Sequence, residues 1–338
     1  MLKYKWMYIA VLCCAMFAAC EPASVTDKNP ISFGDRKSAS GAVNALLWGY
    51  YGETWIYGTK NDGIGQNATV TIVNDESTLV PQDVATRYWA QTESKYDFYA
   101  MWPLEGNNHG ISNVKYTNGT ITFDCDITKQ TDICIAATLN QTSQWNVLPN
   151  DLRPVNLYFQ HMLAKVQFIG KSASSAVEIV SASINVPTTA SAVYSNLNGE
   201  PNIAYDAKGG VSESLSTPEG FSLTIPESTA SENTIDITNG GWLVFSNMEL
   251  TEDIKFTIEY KTGVINAEGE AETKSVSGKF PTSLSSSWER GKNYIYTFTI
   301  QPSGPIIFGD VTVTPWNYVT GTGQDDGITG EFDFPTEP

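Results

Sequence analysis

The sequence predicts an all-β chain built of antiparallel β-sandwiches. Three observations carry this. Apolar residues recur at every second position in short runs, turn-forming residues separate those runs, and no long segment sustains a 3.6-residue apolar period. The alternation is plainest at Tyr294, Tyr296, Phe298 and Ile300, and again at Ile254, Phe256, Ile258 and Tyr260. Successive side chains of a strand point to opposite faces, so each run buries one face of a sheet. In chain order, further strand-like runs fall at 69–73, 96–102, 120–125, 177–186, 242–248 and 306–313. Between them, Asn118-Gly119, Asn198-Gly199 and Gly209-Gly210 supply turn chemistry.

The chain has 338 residues. That is more than one small sandwich needs and suits two domains. The expected boundary is at 148–154, where Pro149, Asn150, Asp151 and Pro154 interrupt the strand pattern. The division is therefore 20–150 for an N-terminal domain and 151–320 for a C-terminal one, with 321–338 as a flexible acidic tail. Just past the boundary, apolar positions are odd-numbered through Val155, Leu157, Phe159 and Leu163, then even-numbered through Ala164, Val166 and Phe168. Such a switch predicts a bulge, or a strand passing from one packing environment to another.

The first residues read as an export signal. Lys3 and Lys5 precede an apolar run from Trp6 to Ala19, too short to span a bilayer as a helix. Residues 1–19 are thus expected to be removed. Phe17-Ala18-Ala19-Cys20 resembles the lipobox of bacterial lipoproteins, in which the cysteine becomes the lipidated N-terminus. Loss of Lys3 and Lys5 with no acidic residue takes the formal charge from −17 to −19. A chain this acidic, without a basic stripe, is expected to bind no nucleic acid, whose phosphates require clustered Lys and Arg.

Of five cysteines, Cys125 and Cys134 alone lie beyond the signal and the lipobox. Two readings stand. Their nine-residue separation places them on neighbouring strands of one hairpin and permits a disulfide, or both are small buried core residues. Catalytic material is sparse. His109 lies in a loop-like Gly106-Asn107-Asn108-His109-Gly110, and His161 shares the buried parity of Phe159 and Leu163, which favours a hydrogen-bonded core histidine over a general base. No zincin helix, nucleophile elbow, phosphate-binding glycine loop or Cys-x-x-Cys occurs. No enzyme activity, cofactor or metal is expected. Asp124, Asp126 and Asp132, and separately Asp325-Asp326-Gly327, are carboxylates able to meet a cation, but neither set has calcium-loop spacing, and solvated strand ends are the favoured reading. Trp48, Tyr50, Tyr51, Trp55 and Tyr57 fit either sandwich core, the reading preferred, or a stacking platform for sugars.

Several segments in order carry a resemblance. They are Pro30-Ile31-Ser32-Phe33-Gly34 with Arg36 shortly after, Tyr99-Ala100-Met101-Trp102-Pro103, and Phe159-Gln160-His161-Met162-Leu163-Ala164-Lys165-Val166. Trp288-Glu289-Arg290-Gly291-Lys292-Asn293-Tyr294-Ile295-Tyr296 and Ile307-Phe308-Gly309-Asp310-Val311-Thr312-Val313-Thr314-Pro315-Trp316 complete the set. Together with the lipobox, it resembles the fimbrillin-like family of Bacteroidetes lipoproteins.

The resemblance implies two tandem transthyretin-like antiparallel β-sandwich domains, and export as an outer-membrane lipoprotein anchored through Cys20. It also implies a role as a pilus or fimbrial subunit or accessory component that supports adhesion. For polymerising members it implies strand exchange after an arginine-specific protease removes the first strand, here the one carrying Ile31 and Phe33. Arg36 is the expected processing site, since it is the first arginine after the anchor and lies in a small, polar stretch; Lys37 is the alternative. At the far end, Ile328, Phe332 and Phe334 share one parity and are expected to form a donor strand, with a disordered acidic tail as the competing reading. The expected partners are other pilus subunits, the maturation protease and a host or glycan ligand. The competing function is a non-polymerising surface lipoprotein that binds glycans or host ligands.

Overall fold

A computed structural model describes the chain from Ile31 to Trp316, apart from internal segments of which 35–43, 58–68 and 143–154 are the longest. No α-helix occurs among the described residues, and a single 3-10 turn at Ile127–Lys129 interrupts the strands.

The largest sheet contains β1 (Phe33–Gly34), β2 (Asn44–Tyr51), β3 (Thr54–Tyr57), β4 (Thr69–Val73), β5 (Thr78–Pro81), β6 (Tyr96–Trp102), β9 (Cys134–Gln141), β10 (Val155–Asn156) and β11 (Gln160–His161). Among the described residues its order is β10–β1–β5–β4–β2–β6–β9–β11, with β3 against β2. The two ends, β10 and β11, are only three residues apart in the chain, and Thr138 Oγ1 on β9 donates to the Asn156 carbonyl on β10 at 2.6 Å. The sheet therefore curls almost closed. Curling explains why its strands bury both faces: Leu47, Phe98 and Ala100 point into an enclosed core, while Leu46, Trp48, Tyr99 and Met101 join the larger core outside it.

That outer face is covered by a sheet of β7 (Ile111–Thr117), β8 (Thr120–Asp126), β14 (Thr189–Leu197) and β15 (Glu200–Ala207), in the order β15–β14–β8–β7. Trp48 of the first sheet stacks on Tyr116 of the second at 5.7 Å. The β7–β8 hairpin turns on Asn118 and Gly119, whose φ values of 47° and 80° are those of a type I′ turn.

Two more sheets face each other as a sandwich. One has β12 (Leu163–Ser172), β18 (Ile235–Asp236), β19 (Trp242–Phe245), β24 (Lys292–Ile300) and β25 (Ile307–Pro315), ordered β18–β12–β24–β25 with β19 on β12. The other has β13 (Val177–Asn185), β16 (Ser214–Ser216), β17 (Leu223–Ile225), β21 (Lys255–Ile265) and β22 (Ala271–Lys279), ordered β16–β13–β21–β22 with β17 on β13. Phe168 and Phe308 of the first meet Phe256 of the second at ring distances of 5.9 and 4.3 Å. A two-stranded piece, β20 (Met248–Glu249) with β23 (Ser287–Trp288), carries Trp288 into the same core, where its Nε1 donates to Tyr296 Oη at 2.9 Å.

The point expected to divide the chain, between 150 and 151, lies outside the described residues, and strand pairing does not change over there. The strands at 155–156 and 160–161 still pair with the first sheet, and the β14–β15 hairpin pairs back onto β8. The change comes at 161–164, where four consecutive residues are buried and the chain leaves β11 for β12. The parity switch read from the sequence marks this passage between packing environments.

Gly170 of β12 lies beside Phe298 of β24, and a Cβ added there would run into the phenylalanine ring. Gly170→Val should therefore cost about 1–3 kcal/mol of stability, read as a lower urea midpoint at unchanged slope. The loss should shrink in a Phe298→Leu background; equal losses in both backgrounds would exclude the ring as the cause.

Candidate functional site

The most unusual element is β1. A two-residue strand ordinarily contributes little, yet β1 lies inside the sheet, antiparallel to β5 through Phe33 and Leu79 and parallel to β10 through Phe33 and Val155. The Ile31 N–H adds a bond to the Arg87 carbonyl at 2.8 Å. Phe33 has no exposed surface and Ile31 only 5%. The Phe33 ring meets Tyr57 and Phe98 edge-on at 5.6 and 5.2 Å, so the strand plugs the enclosed core of the curled sheet with aromatic surface. Arg36 and Lys37, like Cys20 and the segment with Ile328, Phe332 and Phe334, lie outside the described residues. So do Asp325 and Asp326.

Cys125 and Cys134 are both free and buried. The single hairpin that would have joined them does not exist, because β8 and β9 belong to different sheets. Cys125 Sγ points to the Ala190 carbonyl at 3.6 Å, and burial pushes its thiol pKa up to about 12. Cys134 instead joins a polar cluster. His161 is its direct cross-strand partner, and Asp132 stands two residues before it. Asp132 Oδ2 is 2.6 Å from His161 Nδ1 and 3.1 Å from Cys134 Sγ, and the thiol is 3.6 Å from the same ring nitrogen. Complete burial, then the neighbouring Asp132 charge, raises the Cys134 pKa well above the thiol norm.

His161 is thus a core histidine with a hydrogen-bonded partner, as its parity implied. Thiol and carboxylate address one ring nitrogen, whereas a nucleophile–base–orienter relay uses both. Trp316 closes the cluster: its ring lies parallel to His161 with centroids 4.0 Å apart, and Lys165 Nζ sits 5.4 Å from its centroid. Burial lowers the Lys165 pKa, opposed by Asp236 and Asp132.

The less favoured reading, a cation set of Asp124, Asp126 and Asp132, is not assembled. Asp124 is held by Lys208 Nζ at 2.6 Å, with Ser191 and Asn113, and these donors keep its carboxyl below the usual carboxylate range. Asp126 caps the 3-10 turn by accepting from the Thr128 N–H, and Asp132 is committed to His161. Asp124 and Asp126 do line one surface hollow of about 390 Å³ together with Lys129 and Lys208. Of the N-terminal aromatics, Trp48 and Tyr57 are core and Tyr50 is half-buried, while the side chains of Tyr51 and Trp55 lie outside the described residues. His109 sits half-buried in the turn at 107–110.

Sequence reading missed the convergence of Asp132, Cys134, His161 and Trp316. The i, i+2 spacing of Asp132 and Cys134 on a strand start was the one local signal.

Over residues 53–316 the chain matches the protein family described as Fimbrillin-like. Among solved structures it is similar to one titled a "putative cell adhesion protein" from Bacteroides uniformis, with 15% identity, a TM-score of 0.53, and coverage of 87% of this chain and 99% of that one. It is also similar to a fimbrial protein from Bacteroides vulgatus, with 15% identity, a TM-score of 0.52, and coverage of 86% and 100%. At these identities the two structures share the fold. No curated protein sequence matches the chain.

Two outcomes are expected of these sites. Phe33→Ala should destabilise the intact chain by about 3–5 kcal/mol in denaturant unfolding, since a fully buried ring leaves a cavity. Alkylation of the native chain at neutral pH should leave Cys125 and Cys134 unmodified, and both should react in urea without reductant. Peptide mass spectrometry reads this, and a 125–134 disulfide would show as two thiols that stay silent in urea.

Proposed function

The chain belongs to the fimbrillin-like family, and on that premise we propose that it is a subunit or accessory component of a surface pilus, assembled by β-strand exchange after proteolysis and serving adhesion. The observation that carries the reading is β1. It is short, joined to the sheet by few ladder bonds, and with Ile31 just before it sets two large apolar side chains in the enclosed core. Arg36 follows Gly34 by two residues, so one cut there severs β1 from the body of the chain.

The same cut separates the body from Cys20. A lipid-anchored precursor at the outer membrane would lose its anchor and its plug in one step. Removal of β1 leaves β5 and β10 as two unpaired edges flanking an apolar slot, which is the receptor for an added strand. Ile328, Phe332 and Phe334 supply matching chemistry, with alternate apolar side chains on an extended segment. Burying each contributes roughly 1.5–3 kcal/mol, and the backbone supplies the ladder. The partner on this reading is another pilus subunit, and the protease is one that cuts after arginine.

The test compares surface-extracted parent protein with Arg36→Ala and with the triple variant Ile328→Ser, Phe332→Ser, Phe334→Ser. The parent should give a heat-sensitive ladder and begin at Lys37 on N-terminal sequencing. Arg36→Ala should remain monomeric and start at Cys20. The triple variant should be cut normally, melt at the parental temperature as a monomer and form no ladder; a persisting ladder removes the donor-strand role.

A further inference from the structure

We propose that Asp132, Cys134 and His161 form a binding site for one zinc-type divalent cation, held by the carboxylate Oδ2, the sulfur and the ring Nδ1. Three different ligand types converge in a pocket that is nearly closed: Cys134 has no exposed surface, His161 has 3%, and the Asp132 side chain 15%. Among the described residues this is the one group of three or more such side chains whose ligand atoms lie within 4.8 Å of one another.

The geometry is close to that of a zinc centre. Tetrahedral zinc with bonds of about 2.3 Å to sulfur and about 2.0 Å to nitrogen sets sulfur and nitrogen about 3.5 Å apart. Here Cys134 Sγ and His161 Nδ1 are 3.6 Å apart. The carboxylate oxygen is closer to both, at 2.6 and 3.1 Å, so it must withdraw by less than about 1 Å. Its other oxygen, Oδ1, accepts from the Ile133 N–H at 2.8 Å, which leaves Oδ2 turned to the cluster. Trp316 lies flat on the imidazole and fixes its plane, and a ring nitrogen binds a metal within that plane, so the stacking leaves Nδ1 accessible.

Charge favours the same ligand. The thiol gives its proton to solvent when the cation binds, and the imidazole coordinates through Nδ1. A thiolate and a carboxylate then balance a dication, and a neutral centre is the one form in which two anions rest together in a buried pocket. Sulfur with imidazole selects zinc or cobalt over calcium or magnesium. The Asp132 side chain, 15% exposed, is the side of the cluster open to solvent. The site is independent of the pilus reading.

The test titrates the full chain with Co2+, then with Zn2+. One equivalent of Co2+ should bind with a sulfur-to-cobalt charge-transfer band in the near ultraviolet, and Zn2+ should bleach it. Cys134→Ser should abolish the band and Cys125→Ser should keep it, which also excludes the N-terminal cysteines. Asp132→Asn, close in size and shape, should keep the band and weaken binding roughly tenfold or more. A parent chain without the band, a band that survives Cys134→Ser, or an affinity unchanged by Asp132→Asn overturns the site.

Discussion

The structure turns on one passage, His161 to Ala164, where the chain leaves the edge of a curled sheet and enters the middle of a sandwich. Four consecutive buried residues cannot alternate in and out, so their backbone groups lose both water and, in part, ladder partners. Several are satisfied from remote segments. The Met162 N–H reaches the Ile133 carbonyl, the Met162 carbonyl accepts from Tyr205 and Ser246, the Leu163 carbonyl accepts from the Gly291 N–H, and His161 meets Asp132. An unpaired buried amide costs about 1–3 kcal/mol, more than the roughly 1 kcal/mol an average hydrogen bond returns, so these contacts help fix where β9, β15, β19 and β24 lie relative to one another.

The shared core follows from that junction. The Trp316 N–H binds the Gly291 carbonyl while its ring covers His161, and Arg290 reaches Gln160 at 2.8 Å. The segments 159–166, 288–296 and 307–316, far apart in sequence, therefore meet at one point. Because the β14–β15 hairpin is drawn back onto β8, the apolar cluster runs from Leu46 in the first sheet to Ile306 beside β25 without a break.

Much of this was legible locally and little of it globally. Short apolar runs between turn residues located β4 and β6 at their observed limits, all of β13 and β19, and most of β8 and β25, while period-two alternation marked the half-buried β21 and β24. The parity switch between Leu163 and Ala164 located the junction itself. Pairing between distant strands left no such mark. The parallel contact of β1 with β10, and the return of β14 to β8, depend on which edges remain open once other strands have paired. Cys125 and Cys134 illustrate the same limit: nine residues suggested a hairpin, but the 3-10 turn at Ile127–Lys129 sends the chain from one sheet to another. His161 read correctly as buried, while its partner Asp132, 29 residues away, had no periodic relation to it.

The division of the core into two clusters sets β1 apart from the junction that holds the sheets together, as the proposed strand exchange requires. Ile31 and Phe33 belong to the smaller cluster, inside the curled sheet, with Leu47, Tyr57, Phe98 and Val155, and they make no part of the cluster that joins the remaining sheets. Losing β1 thus removes contacts from the smaller cluster while the junction at 161–164 and its hydrogen bonds stay whole. Local opening free energies vary across a protein, and a region with few ladder bonds and its own small core opens most readily. Yet Phe33 is fully buried in that cluster and meets both Tyr57 and Phe98, so the slot it would leave keeps an apolar floor with a strong demand for a replacement ring. Weak backbone attachment and strong side-chain burial pull in opposite directions at β1. The first would ease departure of the strand once the chain is cut, and the second would leave an empty slot unstable, which is the combination the proposed strand exchange requires.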